Sequence, residues 1–167
     1  MDFKHKVSKV ESSPKFSSFI KSNPHYYLVH IFSVKDENPN TVWQVGYYSK
    51  DTDKIIVFED NDALAEIIVH EPEEALKEEN YIKQLELDSL VVSLSEAINI
   101  CQETIKQNYP KEIPSKHIFL LQNLPEFGQV WNITIVTLAF SVINVKIDAQ
   151  SGNILKHTRE NLMNWRS

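Results

Sequence analysis

Few of the residues in this chain that could do chemistry are spaced to do it together. His70-Glu71-Pro72-Glu73-Glu74 begins like a helical zinc motif, in which two histidines one turn apart hold the ion and a glutamate serves as base. Position 74 is glutamate instead of histidine, and Pro72 would break the helix that must present both ligands. No metal site is expected there. His25 and His30 are close in sequence, His5, His117 and His157 are scattered, and no pair has a ligand spacing. Cys101, the single cysteine, shares helical spacing with Ala97, Ile98 and Ile105. That pattern describes a buried small hydrophobe, because a reactive thiolate needs an exposed, electropositive setting. The chain has no G-x-S-x-G elbow, no G-x-G-x-x-G and no G-x-x-x-x-G-K, and its three glycines leave little from which to build a phosphate cradle. Asn132-Ile133-Thr134 has the form of a glycosylation site, but it falls inside a strand pattern and is read as incidental. Trp43 and Trp131 could stack on a ligand, yet their phase with Val45 and Ile133 assigns them to the core. Trp165 could dock on the sheet or take part in self-association. The residues therefore nominate no catalytic, cofactor-binding or metal-binding position, and no cofactor.

Composition narrows the classes further. A chain of 167 residues, 42% hydrophobic and 24% charged, is large enough for one domain with a core or two small halves sharing one. A net charge of −6 argues against general nucleic-acid binding, which requires a concentrated basic surface. Lys4, Lys6, Lys9 and Lys15 are interrupted by Asp2 and Glu11, so residues 1–13 are expected to be a flexible, solvated start. The opening residues contain no apolar leader core, and no stretch approaches the roughly 20 apolar residues of a membrane span. With one cysteine and no disulfide, a cytoplasmic setting is expected.

The elements that must position any site are easier to read. Ser13 caps and Pro14 opens a helix to Ser22, with Phe16, Phe19 and Ile20 on one face. Tyr26–Val34 reads as a strand, closed by the turn-forming Asp36–Asn40. Val42–Tyr48 and Lys54–Glu59 form a hairpin, and Ala65–Val69 is a further strand candidate. The acidic run Glu71–Asn80 is either a short helix or a loop. Ser93 and Glu96 make a capping box for a helix over Leu94–Asn108, stopped by Pro110. His117–Leu124 is a strand, and Pro125–Gly128 a turn. In Val130–Leu155, Trp131, Ile133 and Ile135 alternate with Asn132 and Thr134, and Ile143, Val145 and Ile147 with Asn144, Lys146 and Asp148. This predicts an antiparallel sheet covered on one side, with Gly152 taking positive φ in the closing turn. A terminal turn of helix is expected over Glu160–Arg166.

Val42–Asp60 aligns without gaps on Val130–Asp148, pairing Trp43 with Trp131, Val45 with Ile133, Ile55 with Ile143 and Val57 with Val145. A shared register would follow, since a one-residue slip turns every apolar residue to the other face. Strand-rich segments also match through composition alone, and that alternative stays open. The second half, about Val91–Lys156, resembles a PepSY domain. The resemblance rests on Ser93-Leu94-Ser95-Glu96-Ala97-Ile98, opening a helix, and on Ile147-Asp148-Ala149-Gln150-Ser151-Gly152-Asn153-Ile154-Leu155, closing a strand in a D-A-x-T-G-x-[IV]-like turn with Ser151 in the threonine position. It implies non-catalytic roles such as modulation of proteases.

The expected fold is α+β: antiparallel sheet with packed helices, in two helix-strand-strand-strand halves over residues 14–90 and 91–167. The expected function is a non-enzymatic protein-binding or regulatory module. It would use an unpaired strand edge or the loops Asp36–Asn40 and Gln122–Gln129. The partner is an unidentified protein, with no nucleic acid and no membrane span, and a homodimer is an option. The alternative is a small-ligand or cryptic enzymatic pocket between sheet and helices.

Overall fold

The computed structural model describes residues 3–75 and 81–163. Among the described residues, three α-helices, α1 (Phe3–Glu11), α2 (Pro14–Ser22) and α3 (Leu94–Asn108), accompany nine strands. The strands are β1 (Tyr27–Lys35), β2 (Val42–Ser49), β3 (Lys54–Asn61), β4 (Ile67–Val69), β5 (Glu73–Glu74), β6 (Pro114–Leu124), β7 (Gly128–Thr137), β8 (Ser141–Asp148) and β9 (Ile154–Asn161). They form one antiparallel sheet in the order β4-β3-β2-β1-β6-β7-β8-β9, with β5 also pairing β3. The fold is α+β. β1 and β6 pair directly at the centre, and a meander runs outward from each.

Local chemistry sets the helix ends. Ser13 accepts a hydrogen bond from the Phe16 N–H, and Pro14 takes the first helical position, where its missing donor costs nothing. At α3, Ser93 Oγ accepts from Glu96 N–H while Glu96 Oε2 accepts from the Ser93 N–H at 2.7 Å. The capping box is complete. Packing sets the rest. One sheet face is buried through Ile31, Val45, Phe58, Leu121, Ile133 and Val145, and it joins the inward residues of the helices in a single core. Trp43 and Trp131 both lie in that core, and Trp131 Nε1 donates to Val92 O at 2.9 Å. Cys101 is buried there too, and burial pushes its thiol up to about 12.

Several expectations require correction. Residues 3–11 are not a loose start but α1. Phe3, Val7 and Val10 recur at helical spacing and are buried, with Phe3 edge-on to Trp131 at 5.6 Å. Each such side chain contributes about 1.5–3 kcal/mol on burial, enough to outweigh the polarity of its neighbours. Lys6 sits on the same face, 2% exposed, and pairs with Asp60 at 2.8 Å and Asp62 at 3.0 Å.

The gap-free hairpin alignment also fails. Trp131 stands opposite Ile147, but Trp43 stands opposite Asp60, one residue beyond the aligned partner. Ile56, Phe58 and Asp60 face the core, while Ile55 and Val57 turn to the other face. The cause is loop length: Lys50–Asp53 joins β2 to β3, whereas Leu138–Phe140 joins β7 to β8, one residue shorter. Both loops end on a non-glycine residue with positive φ, Asp53 at 56° and Phe140 at 58°.

At the C-terminal end, Glu160 and Asn161 belong to β9 and not to the expected terminal turn of helix, while Leu162 and Met163 do enter a 3-10 turn. β9 is polar on both sides because it is an edge strand, so period-2 alternation is absent. The segment Gln122–Gln129 is mostly strand, and only Pro125–Phe127 connects β6 to β7. Of the acidic run, Glu73–Glu74 is β5. Residues 76–80 and 164–167, including Trp165, lie outside the described residues.

Candidate functional site

The two faces of the sheet differ. The helices cover one. The other presents His30, Phe32, Leu120, Gln122, Asn132 and Lys146, all half-buried, on neighbouring strands. Cross-strand pairing assembles them: His30 stands opposite Gln122 and Gly46, Leu120 opposite Asn132, and Asn132 opposite Lys146. Gly46 is required by its neighbour, since a Cβ there would come within 2.1 Å of His30 Cε1. The imidazole lies over the glycine, and its burial lowers its pKa to about 4, so it is neutral at pH 7.

A short segment, Tyr81–Leu85, rises beside this row and makes a hollow of about 720 Å³. Several bonds pin it. Tyr27 donates its hydroxyl to Ile82 O at 2.6 Å, Leu85 N–H donates to Leu28 O at 2.9 Å, and Asn123 Nδ2 donates to Gln84 O at 2.9 Å. Lys50 Nζ lies 4.0 Å from the centre of the Tyr81 ring, a cation–π contact. On the opposite flank, Lys146 Nζ donates to Asn144 Oδ1 at 2.6 Å. Asn144 in turn donates to Asn132 Oδ1 at 2.6 Å and to Thr134 Oγ1 at 3.1 Å. The sequon asparagine thus belongs to a side-chain ladder.

A second hollow, about 780 Å³, lies on the helix side beside α2 and is bordered by Glu11, Glu86 and Asp88. Tyr47 donates to Glu11 Oε1 at 3.1 Å there. Burial, then the adjacent Glu11 carboxylate, raises the Tyr47 hydroxyl far above its usual range.

The sheet edges form the other candidate surface. β4 is a three-residue edge strand, whereas β9 runs for eight residues and pairs on one side only, with β8. Most of β9 is exposed, including Ile154 at 44% and Leu155 at 38%. Its far end is anchored: Arg159 pairs with Glu112 and donates from Nη2 to Ser141 Oγ at 2.8 Å. The Arg159 guanidinium holds the Glu112 carboxyl below the usual carboxylate range.

The histidines are placed apart. His70 Nε2 lies 2.8 Å from Glu59 Oε2, His157 Nδ1 lies 2.8 Å from the Tyr109 hydroxyl, and His117 stacks on Phe119 with ring centres 6.1 Å apart. His5 and His25 are exposed. Among the described residues, no group of three His, Cys, Asp or Glu side chains is placed to hold a metal ion, and no helix is long and apolar enough to cross a membrane. Of the groove residues, Gln122 falls in the segment Gln122–Gln129 nominated from sequence as a contact loop, whereas His30, Asn132 and Lys146 were not nominated. His30, Gln122, Asn132 and Lys146 are single polar positions on four strands, brought together only by strand order.

No protein-family profile matches the chain, and no curated protein does. Among solved structures, a crystal structure from Clostridium difficile 630, described as a "putative lipoprotein", has a similar fold. The match has a TM-score of 0.58 and 16% identity over 87% of this chain and 90% of that one.

Proposed function

We propose that this protein is a non-enzymatic binding or regulatory module, PepSY-like in plan, that takes up an extended protein segment at the free edge of β9. The observation that carries the reading is the asymmetry of the edges: β4 is short, while β9 offers eight residues paired on one side. Unpaired strand backbone donates and accepts hydrogen bonds along its length, so a partner strand adds with little side-chain specificity. Two segments support the PepSY likeness. The Ser93–Glu96 box opens α3. Asp148 Oδ1 accepts from the N–H groups of Gln150 and Ser151 at 2.8 Å each, with Gly152 at φ +80°, in the turn before β9. The likeness extends to a first half, α2-β1-β2-β3, set against α3-β6-β7-β8, provided that one residue is allowed for the longer β2–β3 loop.

The test uses the whole chain as bait beside two variants, Thr158→Pro and the pair Ile154→Lys with Leu155→Lys, each checked for native circular dichroism. A captured partner should slow amide exchange along β9 and be lost in at least one variant. Capture that leaves β9 exchange unchanged, or no capture at all, overturns the reading. If light scattering shows a concentration-dependent dimer that the variants abolish, the accepted strand is β9 of a second copy.

A further inference from the structure

The helix-free face has a charge pattern that the strand-edge reading does not use. The chain carries 23 acidic and 17 basic residues, yet the described residues lining the 720 Å³ hollow include Lys83 and Lys146 and no carboxylate. The hollow on the helix side has the opposite character, with Glu11, Glu86 and Asp88 at its rim. Part of the floor is apolar, with Val29 buried and Ile55 and Leu120 half-buried. Gln122, Asn123 and Asn132 add neutral donors, and His30 is neutral there, so among the described residues that line the hollow no like charge opposes an anion.

We propose that this hollow binds a small organic carboxylate with an apolar body. The carboxylate would sit between Lys83 and Lys146, and the body would lie on Leu120, Val29 and Ile55. Its size falls in the range of about 300–1,000 Å³ common for small-molecule sites. The wall is built in advance by its bonds with Tyr27, Asn123 and Leu28, so little ordering opposes binding. Lys146 already holds Asn144 at 2.6 Å, which aims its ammonium along the ladder. The site lies on a face and not at an edge, so it stands or falls separately from the β9 reading.

Calorimetric titration of the full chain with octanoate and 3-phenylpropionate tests it, with octanol and octyltrimethylammonium as neutral and cationic comparators. At least one acid should saturate with one site and shift the side-chain amide resonances of Gln122 and Asn132. Octanol should bind roughly tenfold more weakly, and Lys83→Gln should lose about tenfold, the value of one partly desolvated charge contact. Lys83 makes no hydrogen bond among the described residues, so that variant keeps the fold, and an unchanged melting curve checks it. Lys146→Gln should lose at least as much. Four results would overturn the proposal: neither acid saturating below about 10 mM, near the weak end of specific binding, equal affinity for octanol, unchanged affinity in the Lys83→Gln Lys146→Gln double variant, or resonance shifts confined to the other face.

Discussion

The hairpins β2–β3 and β7–β8 present their inner faces to the same helical layer, yet they are finished by different chemistry. On β7–β8 the inward residues Trp131, Ile133, Ile135, Ile143, Val145 and Ile147 all show no exposure. On β2–β3 the corresponding surface runs from Trp43 and Val45 to Phe58 and then Asp60, a carboxylate that is 1% exposed. Asp60 is paired with Lys6 at 2.8 Å and Lys9 at 2.5 Å, both from α1. One additional loop residue shifts β3 by one position, so a charge enters where β8 places an isoleucine. α1 then supplies the counter-charges. The comparison shows how a change in a turn is absorbed by an element distant in sequence.

The sharpest test removes the largest group on each side. Trp131→Ala should cost about 3–5 kcal/mol, from lost burial, the residual cavity and the lost bond to Val92 O. Trp43→Ala should cost less, about 2–3 kcal/mol, because Trp43 retains 5% exposure and the Lys6 stem beside its ring can settle into the space. Urea unfolding of both variants measures the difference. A Trp43 variant as damaged as the Trp131 variant would show the hairpins to be equally packed.

Next in size is the ion cluster. Asp60→Asn leaves Lys6 buried with only Asp62 as anion and should cost about 3 kcal/mol, the usual consequence of breaking a buried pair from one side. Acid should weaken this hairpin through its buried carboxylate. Burial alone would raise the Asp60 carboxyl, but its bonds to Lys6 and Lys9 outweigh that and hold it below the ordinary range. Its folded value is depressed, so its contribution is complete above the unfolded value near 3.8 and is lost as pH falls through the lower folded value. At the alkaline end the sign reverses. Burial lowers the Lys6 ammonium, yet the bonds to Asp60 and Asp62 prevail and raise it above 10.5. That contribution is complete below 10.5 and disappears only as pH rises through the folded value. The stability gap between wild type and Asp60→Asn should therefore shrink below about pH 4, whereas the cost of Ile143→Ala, about 2–5 kcal/mol, should not change with pH. A pH-independent gap for Asp60→Asn would dismiss the ion cluster as a source of stability.

The same contrast explains what could be read in advance. α2 and α3 were legible to the residue because Ser13-Pro14 and the Ser93–Glu96 box are local signals that need no tertiary context. The inner face of β7–β8 was legible because apolar and polar residues alternate strictly over Trp131–Ile135 and Ile143–Asp148. β3 was not, since Ile55, Ile56, Val57 and Phe58 are apolar on both faces and either register satisfies the pattern; only the loop decides between them. α1 was hidden by its lysines, because nothing local announces that Lys6 will find Asp60 across 54 positions of chain. The groove was hidden for a related reason: His30, Gln122, Asn132 and Lys146 become neighbours through the β1-β6-β7-β8 order, which no periodicity encodes.

The smallest effect distinguishes the two loops themselves. Asp53 and Phe140 both close their hairpins with positive φ, a conformation that costs a residue bearing a Cβ about 1–2 kcal/mol relative to glycine. Asp53 recovers part of that cost because its Oδ1 accepts the Tyr48 hydroxyl at 2.7 Å. Phe140 is 64% exposed, so its ring gains little burial in return. Its backbone bonds, from its N–H to Thr137 O and from the Leu162 N–H to its own carbonyl, need no side chain. Phe140→Gly should therefore stabilise the protein by about 1 kcal/mol. Asp53→Gly should be neutral or destabilising by up to about 1 kcal/mol, because the relief is spent on the lost hydrogen bond. Thermal unfolding of the two variants side by side reads the opposite signs. If Phe140→Gly instead lowers the melting temperature, the exposed ring makes contacts that hold the β7–β8 loop, and the strain assigned to it is not there to be relieved.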